Sequence, residues 1–193
     1  MIFRKSKIQS RGFVMRYSAY VFSVIAFVVI LTAAAVSGAG EGHDVPPITG
    51  SKELQKLKSL EGEWHGTVVE DGKEIPVTVV YETSSNGSVV VETLSPGTPH
   101  EMVSVYYDNG GKLSMTHYCA VGNQPHLVLD ESGDGGIDFV FTGGSNIDPA
   151  KDGYMHGVSF EFDGSGKMVQ SWTYYQDGKE AGTTSFTLTR AGQ

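Results

Sequence analysis

The side chains of this 193-residue chain best suited to hold a metal, activate a thiol or grip a polar ligand head are its six histidines and single cysteine. His117 and Cys119 stand two apart in Leu113-Ser114-Met115-Thr116-His117-Tyr118-Cys119. Strand alternation places Leu113, Met115, His117 and Cys119 on one face and Ser114, Thr116 and Tyr118 on the other, and the apolar members mark the first face as inward. His117 and Cys119 are then about 7 Å apart, both near a strand end. Such a pair suits a metal, a haem or redox thiol chemistry. It equally suits a core histidine satisfied by a hydroxyl, beside an inert buried thiol. A metal needs a third donor, for which His100, His126 and His156 are candidates.

Two further strands carry polar groups among aromatic ones. In 154–162 alternation sets His156, Val158, Phe160 and Phe162 on one face, with Gly157 marking either a bulge or a close approach to the backbone. In 167–176 Met168, Gln170, Trp172 and Tyr174 share a face, as do Phe186, Leu188 and Arg190 on the last strand. An inner wall of this kind suits a small amphipathic ligand, with His117, Cys119, His156, Gln170, Tyr174 and His100 as its candidate contacts. His100 follows the rigid turn Pro96-Gly97-Thr98-Pro99. Glu92 is undecided between inside and outside.

The elements that must position these residues are strands. Leu54, Leu57 and Leu60 recur at three-residue spacing, which predicts a short amphipathic helix over 52–60. From Gly62 the period becomes two. Each alternating run is closed by a turn pair at Asp71-Gly72, Asn86-Gly87, Asn109-Gly110, Asp134-Gly135, Asp163-Gly164 or Asp177-Gly178. About ten strands result, near 63–70, 75–83, 87–94, 101–107, 112–119, 126–130, 136–142, 154–162, 167–176 and 182–190. The expectation is an all-β, antiparallel up-and-down β-barrel with a short N-terminal capping helix, and a β-sandwich is the second choice.

Residues 1–39 hold five basic side chains and no acid, then an apolar run from Tyr20 to Val36 that ends in Ser37-Gly38-Ala39-Gly40. This reads as a signal peptide cleaved after Ala39, with an uncleaved membrane anchor as the alternative. A Pro- and Gly-bearing linker over 40–51 and a barrel domain over 52–193 follow. The processed chain carries 9 basic against 22 acidic side chains, a net charge of −13, which argues against nucleic acid as a partner. The expected destination is the periplasm or the extracellular space. The lone cysteine excludes an internal disulfide framework.

The first strand reads Leu60-Glu61-Gly62-Glu63-Trp64-His65-Gly66 and the last Phe186-Thr187-Leu188-Thr189-Arg190. This pairing resembles the calycin superfamily of lipocalins, fatty-acid-binding proteins and nitrobindin-like barrels. There a first-strand Trp packs beneath a basic residue of the final strand, here Trp64 and Arg190. The stretches Val91-Glu92-Thr93-Leu94-Ser95-Pro96-Gly97-Thr98-Pro99-His100-Glu101-Met102 and Thr116-His117-Tyr118-Cys119-Ala120-Val121-Gly122-Asn123-Gln124-Pro125 are similar to those of uncharacterised bacterial lipocalin-like proteins. The resemblance spans about residues 52–190 and implies the barrel rather than an activity. It transfers no catalytic residue and specifies no cofactor. The paired cysteines of lipocalins are absent, and ten strands suit the fatty-acid-binding or nitrobindin size.

No nucleophile elbow, phosphate loop, dinucleotide fingerprint or HExxH motif occurs. Asp138, Asp148, Asp152 and Asp163 fall in or beside turns and read as turn formers. The leading expectation is thus an exported, non-enzymatic barrel holding a small hydrophobic or amphipathic molecule. The alternatives are a haem or metal barrel using His117 and Cys119 with another His, and a structural envelope protein with no ligand.

Overall fold

The computed structural model describes residues 45–192 apart from Asp71 and Asp134. The expected signal segment and the start of the linker, residues 1–44, lie outside the described residues.

The described residues form an all-β closed barrel of ten antiparallel strands with one short α-helix. After helix α1 (Lys52–Lys58) come β1 (Gly62–Glu70), β2 (Lys73–Ser84), β3 (Val89–Leu94), β4 (Met102–Asn109) and β5 (Lys112–Tyr118). The second half is β6 (Gln124–Gly133), β7 (Gly136–Ser145), β8 (Tyr154–Phe162), β9 (Lys167–Gln176) and β10 (Lys179–Arg190). Each strand pairs with its sequence neighbour, and β1 pairs with β10 to close the sheet. Left-handed residues close several of the turns. Between β9 and β10, for instance, Asp177 and Gly178 take φ of 53° and 70°, the left-handed pair that matches strand twist.

Closure rests on the pairs Trp64 with Arg190, His65 with Thr189, Gly66 with Leu188 and Thr67 with Thr187. Gly66 permits it: a Cβ there would lie 2.1 Å from the Thr187 carbonyl oxygen.

Helix α1 plugs one end of the barrel. Ser51 caps it, its hydroxyl accepting from the Leu54 N–H at 3.1 Å, while the Ser51 N–H donates to Asp108 Oδ2 at 2.7 Å. Leu54, Leu57 and Leu60 point into the core, contributing about 1.5–3 kcal/mol each by burial. Across the end, Lys56 donates to the Gly133 carbonyl at 2.8 Å and sits over the Phe162 ring. Trp64 donates its indole N–H to the Leu60 carbonyl at 2.7 Å, and the Arg190 guanidinium lies 4.7 Å above the indole centre. Arg190 also donates to the Ser59 carbonyl at 2.6 Å and to that of Glu61. This end is sealed.

Two details depart from the sequence reading. The stretch 45–51, expected as a plain linker, is bonded to the barrel: Ile48 N–H donates to Asn86 O at 2.8 Å and Lys58 donates to the Ile48 and Thr49 carbonyls. Asp138 lies inside β7 rather than in a turn, whereas Asp148, Asp152 and Asp163 accept the backbone N–H groups of their own loops.

Candidate functional site

The inner wall is apolar except for a polar layer built from five strands. Val90, Glu92 and Leu94 face inward on β3, so Glu92 is carried into the bore by the same alternation that buries its neighbours. Tyr81 on β2 and Ser104 on β4 are its cross-strand partners, and Ser104 pairs in turn with His117 on β5. From β9, on the far side, come Gln170 and Trp172.

Glu92, 1 % exposed, accepts on Oε2 from the Tyr106 hydroxyl at 2.7 Å and from Gln170 Nε2 at 2.9 Å. The Tyr81 phenol faces the same carboxyl, close enough to feel its charge but outside hydrogen-bond geometry. Burial pushes the Glu92 carboxyl up to about 7, the hydrogen bonds from Tyr106 and Gln170 opposing the rise. Burial holds the Tyr81 and Tyr106 phenols far above their usual range, reinforced by the Glu92 charge. His117 shares a hydrogen bond with Ser104 Oγ through Nδ1 at 3.0 Å and packs on Trp172, ring centres 4.6 Å apart. Burial pulls the His117 imidazole down to about 4, so it is neutral at ordinary pH.

The bore is therefore bridged at two levels, by the Glu92–Gln170 hydrogen bond and by the tilted ring contact of His117 with Trp172. Tyr106, Phe139 and Phe160 fill it nearby, with ring centres 5.5–6.3 Å apart. Within this buried interior four polar atoms have no protein partner: Tyr81 Oη, Gln170 Oε1, His117 Nε2 and Trp172 Nε1. Each such atom costs about 1–3 kcal/mol if nothing else meets it.

Above this layer, at the end opposite α1, a pocket of about 350 Å³ opens between β1, β2, β3, β4 and β10. Its wall is Val68, Val77, Leu94, Met102 and Phe186, with His100 at the rim. Leu94 is the inward residue next after Glu92, and Phe186 pairs with Gln170, so the pocket floor borders the polar layer directly. A larger hollow of about 480 Å³ includes Phe162, Lys167, Val169 and Thr187 near the plugged end. Neither lining includes a polar-layer residue, but Leu94 and Phe186 of the mouth pocket neighbour Glu92 and Gln170, which makes it the better candidate.

The structure gathers only part of the set expected from sequence. His117 and Gln170 enter the bore. His100 stays exposed at the mouth pocket. Cys119 falls one residue past β5, half-buried, with Sγ 3.8 Å from Met102 Sδ. Tyr174 lies at the mouth, its hydroxyl 3.3 Å from Gln176 Oε1. His156 departs from the strict alternation expected of it, because β8 shifts register between Met155 and Gly157. Met155 packs on the core instead, and His156 stacks on Tyr175 at 3.8 Å within a separate group of rings with Phe141 and Tyr154. His126 is exposed on β6. Among the described residues no three His, Cys, Asp or Glu side chains converge on a metal-sized point, so the third donor sought for His117 and Cys119 is not supplied.

Sequence reasoning left Glu92 open and passed over Tyr81, Tyr106 and Ser104. The available signal was an acid at the parity shared by Val90 and Leu94, but Val89 and Val91 make the other face equally apolar.

Fold and site together define a closed ten-stranded barrel, plugged at one end, with a buried acid beneath an apolar mouth. The chain matches no protein-family model and no curated protein.

Proposed function

We propose that this chain is an exported barrel of calycin type that holds a small hydrophobic or amphipathic molecule in its mouth pocket, over the Glu92–Gln170 layer. The observation that carries this reading is the group of orphaned polar atoms, Tyr81 Oη, Gln170 Oε1, His117 Nε2 and Trp172 Nε1, in an otherwise apolar bore. A barrel packed only for stability gains nothing by keeping them, whereas a ligand with hydrogen-bonding capacity satisfies them. The apolar wall above supplies affinity for the ligand's body. At about 350 Å³ the pocket stands at the small end of ligand sites, which points to a compact molecule. Export rests on the basic and apolar N-terminal segment, and the calycin reading on the Trp64–Arg190 floor.

The test is binding of the neutral fluorophore N-phenyl-1-naphthylamine. The wild-type chain enhances its emission, Val77→Trp fills the pocket and abolishes the enhancement, and Val69→Trp on the exposed neighbour leaves it intact. Equal signals from wild type and Val77→Trp, or none from wild type, overturn the reading.

A further inference from the structure

The proposed ligand site has a chemical bias. Among the described residues, the buried polar and charged set is Glu92, Ser104, Ser114, His117, Asn123 and Gln170, which contains one acid and neither Lys nor Arg. At the plugged end Arg190 is engaged by the Ser59 and Glu61 carbonyls and by the Trp64 face. A carboxylate or phosphate entering this bore would meet a carboxyl and no countercharge. The unmatched capacity beside Glu92 includes an acceptor. Gln170 spends its amide N–H on Glu92, which leaves Oε1, a pure acceptor, without a partner. The Tyr81 oxygen, also without a partner, flanks the same carboxyl. Carboxyl and amide oxygen both call for a donor, while the phenol keeps an O–H of its own to give.

We infer that the barrel selects ligands whose head is a basic nitrogen, an ammonium or amidinium on a short apolar body, seated on Glu92, Gln170 Oε1 and Tyr81 Oη. This rests on the ligand-binding reading above and narrows it. The body fills the mouth pocket, whose wall residues Leu94 and Phe186 adjoin Glu92 along β3 and Gln170 across the β9–β10 pair. Pairing desolvates the ammonium and the carboxylate together, the condition under which a buried charge is tolerated. The titratable groups facing Glu92 do not compete: Tyr81 from β2 and Tyr106 from β4 stay uncharged, and His117 from β5 stays neutral.

The test is calorimetric titration of the full chain with octylamine, octan-1-ol and octanoate at about pH 8, where Glu92 is mostly ionised. Octylamine is expected to bind about tenfold or more tighter than octanol, and octanoate weakest. Glu92→Gln, which keeps the shape and the Tyr106 hydrogen bond, should erase the amine preference, bringing octylamine to within about twofold of octanol. If octanoate binds as well as octylamine, or if Glu92→Gln leaves the order intact, the inference fails while the ligand reading stands. If none of the three binds wild type, the ligand reading falls with it.

Discussion

Glu92 and His117 lie one strand apart from Ser104 on either side, and burial drives their proton affinities in opposite directions. Glu92 keeps its proton up to about 7 in the folded chain but loses it near 4.5 when unfolded. Between those values the folded state binds more protons, so stability falls as pH rises through the window, by about 3 kcal/mol at about 1.4 kcal/mol per pH unit. His117 ionises near 6.5 when unfolded but only at about 4 when folded. There the unfolded state binds more protons, so stability falls as pH drops from 6.5 towards 4, again by about 3 kcal/mol. In wild type the two slopes nearly cancel between about pH 4.5 and 6.5. Removing one partner exposes the other. Glu92→Gln should gain stability by about 3 kcal/mol from pH 4 to 6.5, and His117→Gln should lose about as much from pH 4.5 to 7. Urea unfolding followed by Trp172 emission, at half-unit pH steps, reads both. Exposed carboxylates contribute equally to variant and wild type and drop out of the difference. Variant and wild-type curves that run parallel across the window would refute the burial argument for both groups.

Arg190→Ala should cost about 2–3 kcal/mol through the lost carbonyl hydrogen bonds and indole contact, and Arg190→Lys should recover only part, as measured by urea midpoints. Gly66→Ala drives a Cβ into the Thr187 carbonyl and should cost about 3 kcal/mol or more, while Gly135→Ala, with open space around it, should change stability by less than about 0.5 kcal/mol. N-terminal sequencing of the protein recovered from its host should begin at Gly40, and an intact Met1 would point to the uncleaved anchor instead.

The barrel was largely legible because its signals are local. Alternation and six turn pairs are properties of neighbouring residues, and they translate into ten hairpin-linked strands without knowledge of distant contacts. The Trp64–Arg190 contact was reachable only through the family resemblance, since 126 residues separate the two. The site was less legible. Glu92, Tyr81 and Gln170 meet across the bore, and no spacing along the chain encodes which inward positions of β2, β3 and β9 share a level; barrel stagger sets that. His156 was misplaced by parity because it is itself the extra, unpaired residue between Met155 and Gly157, and a glycine signals a bulge without saying which neighbour is bulged. Cys119 lies where pairing stops, so alternation no longer governs it.

The central claim, that the bore and mouth hold a small molecule, is tested most directly by native mass spectrometry, with an absorption spectrum, on the protein purified without detergent from its own host. The account predicts one discrete adduct of about 100–300 Da, set by the pocket volume, that disappears on denaturation and is absent from Val77→Trp. The bare polypeptide mass would contradict it, and a Soret band in its place would contradict it in favour of haem.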